Sequence, residues 1–116
     1  MRNIESNTQI ACVSWFKMQY PRLAPLLFAV PNGGARNAVT GAILKREGVT
    51  KGVSDLILLV PSSKHHALCI EMKTPRGRQS PSQKAWQKAV TAHGYKYVVC
   101  HNFDEFYIEI NTYLSE

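Results

Sequence analysis

Two short apolar runs, at residues 54–60 and 68–74, constrain the fold of this chain more than any other feature. Each run is too short for a typical helix and has the composition of a β-strand, and a polar link that contains a proline joins them. The two runs therefore predict a β-hairpin. Each also carries an acid that a core strand disfavours, Asp55 in the first and Glu71 in the second, and Lys73 follows soon after Glu71.

The predicted register brings the two acids together. A hairpin turn at residues 61–65 places Asp55 directly opposite Glu71. Because side chains alternate along a strand, Asp55, Glu71 and Lys73 then share one side of the sheet, with the acidic Cβ atoms about 5 Å apart. Like charges directly opposite each other are destabilising, so this pair of acids indicates a bound cation.

The chemistry of the acids predicts a site for Mg²⁺ or Mn²⁺. Such an ion takes carboxylate oxygens, keeps several waters and accepts a substrate phosphate as a further ligand. The main-chain carbonyl of Met72 is a candidate for one more ligand. Lys73 could stabilise developing negative charge, or orient and deprotonate a water, which predicts phosphodiester hydrolysis. The alternative is structural: Asp55 lies at a strand mouth, and Glu71 and Lys73 form an ion pair on a solvated face.

The remaining segments predict a mixed α/β sheet in one domain. A crossover helix between the hairpin and the next strand favours a parallel pair beside the antiparallel hairpin. Ser80 is expected to cap this helix, and Gln83 to complete a capping box. The expected elements besides the hairpin are a helix at 4–18, a strand at 26–30, a helix at 38–47, a helix at 80–93, a strand at 95–100 and a helix at 103–114.

Charge and cysteine content narrow the class of protein. Fourteen Lys and Arg residues against eight Asp and Glu residues give a net charge of +6, which is typical of nucleic-acid-binding domains and also of basic proteins that bind no nucleic acid. Cys12, Cys69 and Cys100 are widely spaced in apolar surroundings, which indicates reduced thiols in a cytoplasm. No apolar run approaches the roughly 20 residues of a membrane span.

Four segments, in this order, resemble the virus-type replication-repair nuclease (VRR-NUC) family of the PD-(D/E)xK nuclease superfamily. They are residues 31–36 (PNGGAR), 48–56 (GVTKGVSDL), 70–75 (IEMKTP) and 80–83 (SPSQ). The resemblance extends over nearly the whole chain and implies a restriction-endonuclease-like mixed β-sheet flanked by helices. The superfamily's proline before the aspartate is Ser54 here, a change that alters the backbone and removes no ligand.

The resemblance assigns roles to five residues. The family's metal-binding aspartate falls on Asp55, and its E-x-K acid and lysine fall on Glu71 and Lys73. The glutamate of its N-terminal helix falls on Glu5, which would reach the metal directly or through water. Its glutamine after the strand falls on Gln83, near Lys73, where it could orient the water or hold the lysine. A solvated first turn for Glu5 and a purely capping role for Gln83 are the alternatives.

The candidate DNA-binding residues lie next in sequence to the predicted site. Basic side chains there suit a phosphate backbone, and a glycine-rich segment permits close approach to a strand. The candidates are Asn32, Gly33, Gly34, Arg36, Lys51, Arg76, Arg78 and Lys84. No segment is suited to reading base edges, so we expect recognition of DNA shape and backbone. His65 and His66 are interpreted as an exposed polar turn rather than a two-histidine metal site.

The resemblance to short family members without added DNA-binding domains also implies a substrate and an oligomeric state. The resemblance implies a homodimer that cuts branched DNA such as Holliday junctions, in a bacterial or phage-infected cytoplasm. Within the enzyme class the alternative is a flap-directed or general nicking nuclease. Outside it, the alternatives are a non-catalytic DNA-binding module on the same fold and a small basic interaction protein.

Overall fold

A computed structural model describes residues 2–31 and 38–116 of the chain. Helices flank a four-stranded sheet in the order expected from the sequence, which confirms the predicted α/β class. The elements are α1 (Arg2–Gln19), β1 (Leu27–Ala29), α2 (Ala38–Arg46), β2 (Leu56–Leu58), β3 (Leu68–Met72), α3 (Pro81–Ala92), β4 (Lys96–Cys100) and α4 (Phe103–Leu114), with a short 3₁₀ turn at Ala24–Leu26 before β1.

The sheet has the spatial order β1-β2-β3-β4 and mixed pairing. β1 and β3 both pair antiparallel with β2, and β4 runs parallel to β3 after the crossover through α3. Leu56 pairs with Ile70 and Leu58 with Leu68, which is the predicted hairpin register. Continued by one residue, this register places Asp55 opposite Glu71.

Both hairpin strands are shorter than predicted, at residues 56–58 and 68–72 rather than 54–60 and 68–74. At the end near the acids, the carboxylate of Asp55 replaces a backbone acceptor: its Oδ2 takes the N–H of Met72 at 2.7 Å. The hydroxyl of Ser54 donates a hydrogen bond to the carbonyl of Leu56, two residues further along the chain, at 3.1 Å. The ladder therefore ends where the side chain of Asp55 enters it.

The main core lies between one face of the sheet and helices α1 and α4. Alternate residues of the hairpin strands point into this core, as the strand period of two requires. The fully buried members are Cys12, Phe16, Leu56, Leu58, Leu68, Ile70, Met72, Cys100, Phe106, Ile110 and Tyr113. The opposite face of β3 presents Cys69 and Glu71 toward α3, where Trp86 packs edge-on against the ring of Tyr97. Trp86 is thus a packing residue.

The three cysteines are buried and unpaired. Burial raises the pKa of Cys69 to about 11, so this thiol is protonated at neutral pH. Within the described part of the chain, no helix is long and apolar enough to cross a membrane.

Candidate active site

A cleft of about 810 Å³ lies at the end of the hairpin where β2 begins and β3 ends. Five elements and loops supply its walls: the first turns of α1, one face of α2, the loop before β2, the end of β3 and the start of α3. Its lining residues are Glu5, Gly41, Leu44, Lys45, Gly48, Val49, Thr50, Lys51, Gly52, Val53, Asp55, Glu71, Lys73, Ser80, Ser82 and Gln83. The cleft therefore brings together every side chain predicted to act at the catalytic centre.

Asp55 lies directly before β2 and is held in place by the backbone of β3. Its Oδ2 accepts the N–H of Met72 at 2.7 Å, which fixes the carboxylate against the neighbouring strand. In an extended strand the N–H and C=O of one residue point to the same side. The carbonyl of Met72 is therefore directed toward the side of β3 on which Asp55 lies, where the sequence predicted a ligand.

Glu71 is a buried carboxylate, 2% exposed, held by three side chains. Its Oε2 accepts a hydrogen bond from Gln83 Nε2 at 2.8 Å and lies 3.8 Å from Lys73 Nζ. Its Oε1 lies 3.5 Å from the hydroxyl of Tyr97. Burial, followed by the charge of Asp55 and a hydrogen bond to it, raises the pKa of Glu71 to about 8, and the charge of Lys73 only partly opposes this.

Glu5 reaches the same cleft from the first turns of α1. Partial burial raises the pKa of Glu5, the charge of Asp55 raises it further, and the charge of Lys73 lowers it. Glu5 lines the cleft together with Asp55, Glu71 and Lys73. Its side chain is half-buried and lines the cleft, so the alternative of a freely solvated first turn is not what the structure shows.

Gln83 has two contacts, one at each end of its amide. Its Oε1 accepts the N–H of Ser80 at 2.8 Å, and Ser80 Oγ accepts the N–H of Gln83 at 3.2 Å, which completes the predicted capping box. Its Nε2 donates to Glu71. The predicted capping box is therefore present, and the same amide also contacts the acid Glu71 rather than Lys73.

The loop before β2 is packed against the start of α3. Gly52 has a φ of +88°, and a Cβ added there would lie 2.3 Å from the main-chain oxygen of Ser82. A residue with a side chain would have to move one of the two segments. This contact fixes the distance between the loop that leads to Asp55 and the helix turn that carries Gln83.

The donor set fits a hard divalent cation. Two facing carboxylates, one with a raised pKa, and a main-chain carbonyl offer the oxygen ligands that Mg²⁺ or Mn²⁺ prefers. Among the described residues, no three Asp, Glu, His or Cys side chains converge closely enough to hold an ion by themselves. Asp55, Glu71 and the Met72 carbonyl would thus leave positions for water and a phosphate, with Glu5 acting through water.

The predicted DNA-binding residues are distributed unevenly around this site. Lys51 lines the cleft. Arg76, Arg78 and Lys84 are exposed on the connection to α3 and its first turn and are not part of the lining. Asn32, Gly33, Gly34 and Arg36 lie outside the described residues.

His65 pairs with Glu116, which lies two residues after α4. Its Nδ1 lies 3.1 Å from Glu116 Oε1, and Lys96 Nζ lies 3.3 Å from Glu116 Oε2. The pKa of Glu116 falls to about 2 because Ser62 and His65 hydrogen-bond its carboxylate and Lys96 contributes its charge. Hydrogen bonds therefore hold the hairpin turn against Glu116, which follows α4.

Sequence reasoning missed Tyr97 and Gly41. Tyr97 Oη lies near Glu71 and accepts a hydrogen bond from Gln79 Nε2 at 3.2 Å, and Gln79 also donates to Gln87 at 2.8 Å. The parallel pairing of Cys69 with Tyr97 places this tyrosine on the face of Glu71, a signal visible only with the β3–β4 register known. Gly41 carries no chemical group that a sequence pattern could reveal.

The VRR-NUC domain profile matches residues 3–104 of the chain. A solved structure of a VRR_NUC domain protein superposes with a TM-score of 0.84 at 27% sequence identity, covering 96% of this chain and 88% of that one. No curated protein matches the sequence. The profile and the solved structure confirm the family resemblance found in the sequence.

Proposed function

The chain belongs to the VRR-NUC family of nuclease domains, and from this premise we propose that it is a Mg²⁺- or Mn²⁺-dependent endonuclease acting on branched DNA. Its preferred substrate is the four-way Holliday junction, cut by two copies of the chain acting together in a bacterial or phage-infected cytoplasm. The observation that carries the proposal is the buried Glu71 carboxylate opposite Asp55, with Lys73 Nζ 3.8 Å from it in an open cleft.

Two acids in this position favour an enzyme over a protein that only binds DNA. The charge of Asp55 and burial both disfavour the ionised form of Glu71, so the pair carries an energetic penalty that DNA binding alone does not require. Carboxylates would also repel a phosphate backbone. A divalent cation removes both penalties, and when bound it polarises the phosphoryl group and lowers the pKa of a water molecule.

Residues of the chain hold the reacting groups in place. Asp55, Glu71 and the Met72 carbonyl would hold the ion, and Gln83 orients Glu71 through its hydrogen bond. Lys73 stabilises the negative charge that develops on the phosphoryl oxygens. A water oxygen bonds to phosphorus and gives up a proton, the bond from phosphorus to one sugar oxygen breaks, and that sugar oxygen takes up a proton, leaving one phosphate end and one hydroxyl end.

The basic side chains in and beside the cleft support a nucleic-acid substrate that is bound without sequence preference. Lys45 and Lys51 line the cleft, and Arg76, Arg78 and Lys84 are exposed on the neighbouring segment. Such side chains contact phosphates, which position a duplex and carry no sequence information. Selection therefore falls on the shape of the DNA, as a junction-cutting enzyme requires.

The test offers the protein a four-way junction, a flap and a linear duplex with Mg²⁺. Asp55→Asn and Lys73→Ala remove the proposed metal ligand and the charge-stabilising group, and Lys17→Ala, an exposed lysine in the last turn of α1, is the control. We expect paired symmetric cuts in the junction by the wild type and by Lys17→Ala. Each site variant should lose at least about 100-fold in rate, the size expected for removing one electrostatic partner of a transition state.

Three results would contradict the proposal. DNA binding with no cleavage by the wild type would favour a binding module, and preferential cutting of the flap or nicking of linear duplex would favour the alternative nucleases. Light scattering on the protein with and without junction DNA measures the assembly. A monomer at the concentrations at which junctions are cut would contradict paired cutting.

A further inference from the structure

One face of α2 forms a wall of the catalytic cleft. Gly41, Leu44 and Lys45 line the cleft, and their spacing of three and four residues places them on one side of the helix. Ala42 and Arg46 belong to the same helix, are exposed, and are not part of the lining. The helix thus presents a small residue, an apolar residue and a cation to the space in front of Asp55 and Glu71.

Gly41 is an unfavourable residue for this position in a helix. Apart from proline, glycine is the worst helix former, and Gly41 lies in the interior of α2, which spans Ala38–Arg46. Its φ is not positive, so the backbone does not require a glycine. A Cβ added at Gly41 would have no atom of the described residues within 4 Å, so packing within that part of the chain does not require one either.

Gly52, in the same cleft, differs from Gly41 because the fold requires a glycine at that position. Gly52 has a φ of +88°, and a Cβ there would collide with Ser82. Gly41 has neither feature, yet it lines the same cleft and is half-buried. The space beside Gly41 therefore suits something that comes from outside the described fold.

The charges of the cleft indicate what fills that space. Lys45 lies one helical turn after Gly41, and Lys51, on the loop before β2, also lines the cleft. Glu5, Asp55 and Glu71 face the cleft from the other elements. A polyanion attracted by the two lysines and by a cation between the acids would pass along α2 at Gly41.

We propose that Gly41 opens a subsite for the sugar–phosphate backbone of the cut strand, with Lys45 binding a phosphate next to the one that is hydrolysed. The inference rests on the proposed nuclease function. It adds the path of the cut DNA strand, which runs along α2. On this path Lys45 is a primary phosphate contact, whereas Arg76, Arg78 and Lys84 contact DNA outside the cleft.

The test measures DNA binding separately from cleavage. Fluorescence anisotropy of a labelled four-way junction is recorded with Ca²⁺ in place of Mg²⁺. Gly41→Leu and Gly41→Phe fill the subsite, and Ala42→Leu and Ala42→Phe add the same side chains to the exposed face of the same helix. We expect both Gly41 variants to bind the junction at least tenfold more weakly, and both Ala42 variants to bind within twofold of the wild type.

Two further readouts exclude a loss of folding or of metal binding, and a third tests the phosphate contact of Lys45. Thermal melting should show Gly41→Leu at least as stable as the wild type, because leucine is the better helix former. Mn²⁺ titration of the Gly41 variants without DNA should give the wild-type affinity. Lys45→Gln should reduce the slope of log affinity against log salt by about one, and Arg46→Gln should reduce it less.

The outcomes separate the subsite from the function. If the wild type cuts DNA and folded Gly41→Leu binds it as tightly as the wild type does, the subsite is wrong and the nuclease function stands. An unchanged salt slope for Lys45→Gln would also overturn the path along α2. If the wild type neither binds nor cuts any of the DNA substrates, the proposed function itself fails.

Discussion

Gln83 connects the N-terminal cap of α3 to the buried carboxylate of Glu71. Its Nε2 donates to Glu71 Oε2 at 2.8 Å, while its Oε1 accepts the N–H of Ser80 at 2.8 Å. One amide therefore fixes both the start of a helix and the orientation of an acid. Metal-binding carboxylates are commonly held in this way by hydrogen-bonding partners that do not touch the ion.

The two roles of Gln83 can be separated by substitution. Gln83→Met removes both hydrogen bonds of the amide, whereas Ser80→Ala removes only the side-chain cap. We expect Gln83→Met to lower Mn²⁺ affinity by about 10- to 100-fold, the size seen when a ligand loses its outer partner. Ser80→Ala should lower the free energy of unfolding by about 1 kcal/mol and leave Mn²⁺ affinity within twofold. Calorimetry and urea denaturation measure the two quantities.

Tyr97 is predicted to help orient Glu71 from the other side. Its hydroxyl lies 3.5 Å from Glu71 Oε1, a long contact, so its removal should cost less than that of Gln83. We expect Tyr97→Phe to lower Mn²⁺ affinity by about tenfold, the lower end of the range for such partners. Tyr95→Phe is the control, because Tyr95 lies just before β4, is exposed, and packs against His66. Equal affinities for the two variants would exclude a role for the Tyr97 hydroxyl.

The raised pKa of Glu71 predicts a pH dependence of the metal-free protein. The pKa moves from 4.5 to about 8, so between these values the folded chain holds a proton that the unfolded chain has lost. Stability from the protonated carboxyl is fully present below pH 4.5 and is lost as the pH rises through about 8. Glu71→Gln stays neutral, so the difference in unfolding free energy, variant minus wild type, should rise with pH. Urea denaturation in EDTA measures it, and a flat difference would contradict the shift.

The same proton should appear in metal binding. Ion binding requires the ionised carboxylate, so below pH 8 Mn²⁺ should release a proton from Glu71. Titration calorimetry in two buffers of different ionisation enthalpy counts that proton. We expect about one proton at neutral pH, and Lys17→Ala should release the same number as the wild type.

Gly52 is predicted to be the least replaceable glycine of the cleft. Gly52→Ala combines a left-handed backbone with a Cβ 2.3 Å from the Ser82 oxygen. Gly48→Ala has the same backbone strain, at a φ of +106°, but its Cβ meets no described atom within 4 Å. We expect Gly48→Ala to lower the free energy of unfolding by about 1 kcal/mol and Gly52→Ala by clearly more. Equal losses would mean that the contact with α3 adjusts freely.

Gly52→Ala should also affect the proposed metal site. A displaced first turn of α3 carries Gln83 away from Glu71, so Mn²⁺ affinity should fall along with stability. Gly48→Ala leaves that turn in place and should keep the wild-type Mn²⁺ affinity. This difference distinguishes a movement of α3 from general destabilisation.

Much of the site was predictable because strand geometry is local and regular. The period of two along 54–60 and 68–74, together with the turn length, predicted the observed register and hence the facing positions of Asp55 and Glu71. The capping box of Ser80 and Gln83 was predictable because it depends on residues three apart in sequence. The strand ends were not, because the carboxylate of Asp55 rather than a backbone carbonyl takes the N–H of Met72.

Short-range patterns and motif order were enough to predict the α/β class, the hairpin with its two acids and lysine, and the family. Tertiary structure alone decided that Tyr97 lies beside Glu71, that Gly52 packs on Ser82, and that Gly41 and Lys45 line the cleft. The reason is physical: these contacts join segments far apart in the chain, and their geometry depends on the packing of α2 and α3 around the sheet. The raised pKa of Glu71 also depends on folding, because its largest cause is the burial of the carboxylate.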